Sequence, residues 1–162
     1  MTIEASVYRG IIGQFATGVT VITTGVNGWL HGMTANAITS VSLDPLLLLV
    51  CVEKEAHTHD HLSRAAAFTV SILAEDQQDV SQAFATPNEP EEGRLQGVGY
   101  RIGENGAPII DGCLASIQCE VTEQTDGGDH TIFIGRVLDA TSERDAPPLL
   151  FYQGKYRELG QG

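Results

Sequence analysis

Basic side chains are scarce in this chain of 162 residues, which has nine lysines and arginines against 21 aspartates and glutamates. A formal net charge of −12 repels phosphate backbones and anionic lipid surfaces. Nucleic acids and membranes are therefore excluded as expected partners. Only two lysines are present, Lys54 and Lys155, so each is a candidate ligand for an anionic cofactor.

The sequence also lacks the marks of an exported or membrane-bound protein. Its three cysteines form no C-x-x-C pair, which is typical of reduced thiols in a cytoplasm. The longest aliphatic run, Leu46–Val52, is too short to span a bilayer, and the N-terminus has no apolar signal core. We therefore expect a cytoplasmic protein.

Three motifs of common enzyme classes are missing as well. Neither G-x-x-x-x-G-K-[ST] nor G-x-G-x-x-G occurs, so a P-loop or Rossmann domain lacks its fingerprint. The nucleophile elbow G-x-S-x-G is also missing, and nothing in the sequence supports a serine hydrolase.

The patterns that are present favour strands. Val19–Thr24 is dense in β-branched residues, and residues 25–28 form a turn that leads into a second strand at Trp29–Ala35. Further strands are predicted at 46–52 (buried on both faces), 68–73, 115–123, 130–140, 149–152 and 156–159. We expect residues 1–162 to form a single domain that is mainly β, a closed or split β-barrel with short helices.

Short helices and connections complete the prediction. Apolar residues spaced by four predict a helix within 3–17, and two more are predicted near 58–66 and after Asp76. Residues 36–45 read as a loop or bulge, residues 86–97 as an exposed acidic loop, and residues 108–112 as a short turn.

A polar segment at residues 34–42 separates two apolar strands. One interpretation is a solvated turn whose Ser and Asn side chains bond their own backbone. The other is a loop that donates hydrogen bonds to a phosphate or to the edge of a heteroaromatic ring.

Lys54 directly follows the apolar strand and precedes Thr58 by four residues. Together with backbone N–H groups at a helix start, it could hold a phosphate. It could equally pair on the surface with Glu53 or Glu55, which contributes at most about 1 kcal/mol.

Histidines supply two further candidates. Three of them alternate at residues 57–61; in an extended segment they would point one way and chelate a metal, whereas in a helix His57 and His61 share a face without His59. No second ligand cluster completes a metal set, so we expect no metal and a solvated helix start. His130 follows a tight turn, where it either bonds Asp129 or contacts a ligand at the barrel rim.

Several blocks, taken together and in order, resemble the flavin reductase family, the small reductase components of two-component flavin-dependent monooxygenases. These blocks are Phe15–Thr24, Gly32–Ala37, Ser40–Pro45, Gly128–Thr131 and Leu149–Tyr156. Two positions depart from the family pattern, since Ala37 stands where many relatives have Ser and Leu46 where a second Pro often follows.

The resemblance implies an FMN-binding split barrel that acts as a homodimer with the flavin near the subunit interface. By family pattern, the flavin-binding positions are Thr34, Ala35, Asn36, Ala37, Ser40, Val41, Ser42, Cys51, Val52, Glu53, Lys54, Thr58, Phe84 and Ala85. His130 matches the histidine associated with the nicotinamide, and Tyr152 is a further candidate near the site.

The implied reaction is hydride transfer from NADH or NADPH to FMN or FAD, with the reduced flavin used by a separate monooxygenase. The cofactors carry that chemistry, so no catalytic side chain is expected. The alternative function is a carrier that holds flavin tightly without turnover of free NAD(P)H.

Overall fold

The computed structural model of the chain describes residues 1–85, 95 and 97–160. In chain order its elements are α1 (Ala5–Ile12), β1 (Thr17–Gly18), β2 (Thr20–Val26), β3 (Trp29–Ala35), β4 (Ile38–Leu43), β5 (Leu46–Glu53), α2 (His57–Arg64), β6 (Ala67–Ile72), α3 (Gln78–Ala85), β7 (Tyr100–Ile102), β8 (Pro108–Ile110), β9 (Ala115–Gly127), β10 (His130–Ser142), β11 (Leu150–Tyr152) and β12 (Lys155–Arg157).

Seven strands form one sheet in the order β3-β2-β6-β9-β10-β5-β4, and all neighbours in it are antiparallel. β1, β11 and β12 form a smaller sheet, and β7 pairs with β8. This arrangement confirms the prediction of a mainly β protein with short helices.

A two-residue connection forces the large sheet to curl. β3 and β4 are its two edge strands, yet β3 ends at Ala35 and β4 begins at Ile38. Three peptide steps span at most about 11 Å, so the end of β3 and the start of β4 must lie within that distance of each other. The carbonyl of Ala37 also accepts a hydrogen bond from the N–H of Cys51 at 2.9 Å, which fixes the connection to β5. The sheet is therefore a barrel that is split along the β3–β4 seam.

The hairpins that build this sheet follow from turn residues in the sequence. Asn27 and Gly28 have positive φ angles of 51° and 83°, the conformation of a type I′ turn between β2 and β3. Gly128, with φ 82°, begins the turn between β9 and β10. Both predicted hairpins are confirmed.

The core lies inside the barrel, where Phe68 and Phe133 are fully buried. Gly135 on β10 allows the Phe68 ring to approach the backbone, because a Cβ there would lie 2.7 Å from that ring. Close packing of this kind leaves no room for larger side chains at the barrel wall.

The prediction of a loop or bulge at residues 36–45 is wrong for the loop, because residues 38–43 form β4 and pair with β5. The register shifts between Ser40 and Ser42, so a bulge interrupts the strand at Val41. Hydroxyl side chains are compatible with this strand because it is an edge strand with one exposed face.

The prediction that residues 46–52 form a strand buried on both faces is also wrong in its burial. Every second residue from Leu48 to Val52 is buried, whereas those between are half-buried. The strand next to it on one side is the edge strand β4, so the outer face of β5 has less cover.

The turn predicted at 108–112 is confirmed only at residues 111–112, because residues 108–110 form β8. β8 pairs with β7, a strand that the sequence pattern did not predict. Pro108 is the first residue of its strand, a position where proline is tolerated. Of the acidic loop predicted at 86–97, only Leu95 and Gly97 belong to the described residues.

The helix predicted within 3–17 is confirmed as α1, although no residue of α1 is buried. In the part of the chain that the structure describes, no helix is long and apolar enough to cross a membrane.

Candidate functional site

A cavity of about 630 Å³ opens beside the seam of the split barrel. One wall is β3 together with Asn36 at the start of the β3–β4 connection. β3 pairs only with β2, so its other edge is free of strand partners among the described residues. Apart from the carbonyl of Gly32, which accepts a hydrogen bond from Thr58, backbone groups on that edge are therefore available to a ligand.

The second wall is α3, which is tied to β3 by a hydrogen bond. The Thr34 hydroxyl donates to the backbone carbonyl of Ser81 at 2.6 Å. Phe84, one turn further along α3, lies against Gly32, where a Cβ would stand 2.8 Å from the ring. The missing side chain at position 32 thus allows an aromatic ring to line the cavity.

The small sheet closes the far end of the cavity. The hydroxyls of Ser81 and Tyr156 lie 2.7 Å apart and share a hydrogen bond. Phe151 packs edge-on against the Tyr156 ring, with the centroids 5.6 Å apart, and both rings line the cavity. This end of the cavity is mainly apolar and suits a flat ring.

The opposite end is formed by the start of α2. Glu53, Glu55, Ala56, His57 and Thr58 all line the cavity there. The buried Thr58 donates a long hydrogen bond of 3.4 Å to the carbonyl of Gly32. Because free backbone N–H groups and the positive end of the dipole meet at a helix N-terminus, this end favours an anionic group.

Lys54 lies beside this end, and its ammonium group does not line the cavity. It forms an ion pair with Asp126 at the tip of β9, and this contact holds the pKa of the Asp126 carboxyl below its usual range. The Lys54 side chain is 41% exposed, so exchange of Asp126 for another anion requires no unfolding.

His130 takes the first of the two arrangements that the sequence allowed. Its Nδ1 lies 2.7 Å from the Asp129 carboxylate, and this hydrogen bond lowers the pKa of Asp129. In the ladder between β10 and β5, His130 stands opposite Glu53, which lines the cavity. His130 therefore lies at the rim of the barrel, close to the part of the cavity that is formed by the N-terminus of α2.

The structure brings only part of the sequence-predicted set to the cavity. The predicted residues that line it are Thr34, Ala35, Asn36, Glu53, Thr58, Phe84 and Ala85. Those outside its lining are Ala37, Ser40, Val41, Ser42, Cys51, Val52, Lys54, His130 and Tyr152. Of these, Val52 is fully buried in the core, and Cys51 is half-buried with a pKa raised by desolvation.

The histidines of residues 57–61 lie on a helix and divide as a helix requires. His57 and His61 face the neighbouring strand β3, where the His61 ring stacks on His31 with the centroids 3.4 Å apart. His59 points elsewhere, with its Nε2 2.8 Å from the Thr131 hydroxyl. Within the described residues, no group of three or more His, Cys, Asp or Glu side chains is placed to hold a metal ion.

The lining residues that sequence reasoning missed include Gly32, Ser81, Phe151 and Tyr156. Ser81 and Tyr156 are 75 residues apart in the chain and meet only through tertiary packing. Three of them could have been found from the family resemblance. Gly32 begins the block Gly32–Ala37, and Phe151 and Tyr156 belong to the block Leu149–Tyr156.

The cavity fits the flavin that the sequence resemblance implies. Its volume lies within the range of about 300–1,000 Å³ that is usual for small-molecule sites. Its lining combines the aromatic rings of Phe84, Phe151 and Tyr156 with polar groups of β3 and the N-terminus of α2. A flat ring, a polyol chain and a phosphate would each find a matching part of this lining.

Comparison with known proteins gives a consistent result. The profile of the flavin reductase like domain family matches residues 12–160. The NADH-dependent FAD reductase of Streptomyces globisporus is 41% identical over 153 residues, which cover 93% of this chain and 84% of that protein. The reductase subunit HsaB of a flavin-dependent monooxygenase from Mycobacterium tuberculosis is 39% identical, with 95% and 82% covered.

A solved structure agrees with these sequence matches. The NADH:FAD oxidoreductase of Streptomyces globisporus, in complex with NAD and FAD fragments, superposes with a TM-score of 0.89 at 38% identity. The match covers 99% of this chain and 97% of that chain.

Replacing Gly32 by alanine tests whether the Phe84 ring shapes the cavity. The new Cβ would stand 2.8 Å from the Phe84 ring, so the ring must shift. Because the Phe84 side chain can rotate, we expect the loss in folding stability to be small. We expect Gly32→Ala to weaken FMN binding about three- to tenfold in a calorimetric titration.

Two matched variants control this experiment. The double variant Gly32→Ala/Phe84→Leu should recover most of the affinity, because the smaller side chain removes the clash. Gly160→Ala, at a position with open space around the new Cβ and outside the cavity lining, should leave the affinity as it is. Equal FMN affinity in Gly32→Ala and the unmodified protein would contradict the assigned role of Phe84.

Proposed function

The chain belongs to the flavin reductase-like family, and we infer that it transfers a hydride from NADH or NADPH to FMN or FAD. The observation that carries this inference is the cavity at the β3–β4 seam, which is lined by aromatic side chains, polar groups of β3 and the N-terminus of α2. We treat residues 1–162 as one flavin reductase domain.

The proposed flavin contacts follow the walls of the cavity. Thr34, Ala35 and Asn36 face the ring and the ribityl chain, with Phe84 and Ala85 packed on the opposite side. Thr58 and the first turn of α2 receive the phosphate, and Lys54 joins them when it leaves Asp126. When bound, the flavin supplies the hydride acceptor.

The remaining family positions surround this core of the site. Ala37, Ser40, Val41 and Ser42 follow Asn36 directly on the seam, and residues 51–53 precede the phosphate end. We assign His130 and Tyr152 to the nicotinamide side, where they position the ring instead of exchanging protons. No acid–base pair is needed, because the nicotinamide and the flavin would themselves supply the hydride donor and acceptor, and the protein would only hold the two rings.

We also propose a monooxygenase partner that receives the reduced flavin, as the name of the Mycobacterium tuberculosis relative suggests for that protein. Such transfer requires a flavin that dissociates. Cys51, Cys113 and Cys119 are free thiols, which supports our proposal that the protein is located in a reducing cytoplasm.

The activity is tested by following NADH and NADPH oxidation with FMN, FAD or riboflavin added in turn. We expect turnover that depends on added flavin, since the protein holds its flavin in an open cavity. Negligible oxidation with every flavin, combined with a purified protein that stays yellow, would favour the tight-binding electron carrier instead.

Lys54→Ala tests the phosphate end of the site. The variant should lose about tenfold in affinity for FMN and much less for riboflavin, because only FMN has the terminal phosphate. Lys155→Ala removes the only other lysine and serves as the control. Asp126→Asn frees Lys54 from its ion pair and should leave FMN binding intact or stronger. Equal losses of FMN and riboflavin in Lys54→Ala would rule out the assignment.

A second copy of the chain is the partner we propose for α1. The large apolar side chains on and beside this helix are exposed by 49% to 74%: Ile3, Val7, Tyr8, Ile11, Ile12 and Phe15. Monomeric proteins rarely expose a contiguous apolar patch of this size. The N–H of Gln153 donates to the carbonyl of Gly13 at 2.9 Å, which places the end of α1 beside the small sheet at the cavity. A homodimer through α1 therefore approaches the rim of the site.

The double variant Val7→Asp/Ile11→Asp should convert the dimer to a monomer, because two carboxylates would have to be buried in the interface. The measurement is molar mass by size-exclusion chromatography with light scattering. Ser6→Asp places a carboxylate on the same helix at a position that is already polar, so it should leave the dimer intact. A wild-type chain that elutes as a monomer at micromolar concentration would refute the proposed interface.

A further inference from the structure

Four side chains in the lining of the flavin cavity carry a hydroxyl group: Thr34, Thr58, Ser81 and Tyr156. Each hydroxyl has one proton to donate and lone pairs with which to accept. Two of the four protons already have acceptors within the protein. Thr34 donates to the backbone carbonyl of Ser81 at 2.6 Å, and Thr58 donates to that of Gly32 at 3.4 Å. The other two hydroxyls therefore decide whether this group can donate a hydrogen bond to a ligand.

Ser81 and Tyr156 have two hydroxyl protons but only one hydrogen bond between them. Their oxygens lie 2.7 Å apart, so one hydroxyl donates to the other. Within the described part of the chain, neither hydroxyl has a second hydrogen-bond partner. One proton of the pair is therefore left without an acceptor in these residues, and it belongs to the hydroxyl that accepts the shared bond.

Burial determines which of the two protons is left over. Ser81 is 0% exposed, so a ligand atom cannot reach its hydroxyl, and a proton left there would be a buried donor without an acceptor. Tyr156 is only half-buried, and it lines the cavity. The arrangement of lower free energy is therefore the one in which Ser81 donates to Tyr156. The phenol proton of Tyr156 is then free to be donated into the cavity.

The hairpin of β11 and β12 holds the Tyr156 ring in place. Gln153 and Gly154 have positive φ angles of 51° and 74°, and the turn that they form sets Tyr156 directly opposite Phe151. The two rings pack edge-on with their centroids 5.6 Å apart. The phenol is thus fixed by Phe151 on one side and by Ser81 on the other. A donor that is already ordered loses little conformational entropy when a ligand binds.

We propose that the Tyr156 hydroxyl donates a hydrogen bond to a carbonyl oxygen or nitrogen of the flavin ring, and that Ser81 is the positioning residue that orients this donor. The inference rests on the proposed function, since it needs a flavin in the cavity. Hydrogen bonds in a chain polarise one another, so the bond from Ser81 makes the Tyr156 hydroxyl a better donor.

This hydrogen bond distinguishes the two oxidation states of the flavin. A hydride brings two electrons to the ring, which increases the negative charge on its oxygen and nitrogen acceptors. Hydrogen bonds to a charged acceptor are stronger than those to a neutral one. Tyr156 therefore stabilises the reduced flavin more than the oxidised flavin, and it raises the midpoint potential of the flavin bound in the cavity.

Tyr156→Phe tests the proposal, because it removes the hydroxyl and keeps the ring. We expect the affinity for reduced FMN, relative to oxidised FMN, to fall about tenfold, which lowers the midpoint potential of bound FMN by about 30 mV for a two-electron couple. The measurements are a calorimetric titration with oxidised FMN and an anaerobic reductive titration against a reference dye. The control Tyr100→Phe removes a hydroxyl from β7, outside the cavity lining, and should leave both values unchanged.

Ser81→Ala separates a donor to the flavin from a purely structural link between α3 and β12. It breaks the same hydrogen bond as Tyr156→Phe but keeps the phenol proton. We expect the ratio of the two FMN affinities to fall less than about threefold in Ser81→Ala. The double variant Ser81→Ala/Tyr156→Phe leaves no buried hydroxyl without a partner, so it should unfold at a higher temperature than Tyr156→Phe and still show the full tenfold loss.

The proposal is overturned if Tyr156→Phe leaves the midpoint potential of bound FMN unchanged. It is also overturned if Ser81→Ala and Tyr156→Phe shift the potential equally, or if the double variant regains the potential of the unmodified protein, since the hydrogen bond would then serve only the fold. Failure of the proposed function looks different, because the unmodified protein would then bind no FMN or would not oxidise NADH with any flavin.

Discussion

The short connection through Asn36 and Ala37 is the constraint on which the cavity depends. With only two residues between them, the end of β3 and the start of β4 must lie within about 11 Å of each other, and the sheet curls into a split barrel. A fully closed barrel would pair the free edge of β3 with a neighbouring strand. The split leaves that edge open, and the cavity forms along it.

Helix α2 connects this seam to the cavity, because its first turn lines the cavity wall. Its buried Thr58 and Leu62 hold the helix against the barrel. The position of the helix N-terminus at the cavity therefore depends on barrel packing and not on a flexible loop.

The sequence predicted those parts of the fold that depend on local chemistry. Asn27-Gly28 marked one hairpin and Gly128 the other, because these turns require positive φ angles. Strand β4 was missed because its Ser and Thr residues resemble a loop when the exposed edge on which they lie is unknown.

The site shows the same division between local and tertiary information. Thr34 and Asn36 were found because a polar segment between apolar strands is visible in the sequence, and the family blocks point to the same residues. Ser81 and Tyr156 are single hydroxyls far apart in the chain, and only packing brings them together. The pair of His31 and His61 was missed for the same reason, since 30 positions separate two rings that stack in the fold.

The charge of the protein bears on how long a flavin stays bound. A chain with a net charge of −12 repels an anionic cofactor at long range, but salt screens this repulsion beyond about 8 Å under physiological conditions. Close to the cavity, the N-terminus of α2 and Lys54 attract a phosphate, while Glu53 and Glu55 oppose it. Because the attraction is confined to these few groups and Lys54 is shared with Asp126, the charges favour reversible binding of the proposed flavin. Reversible binding is what a reductase needs if its product is a flavin that another enzyme consumes.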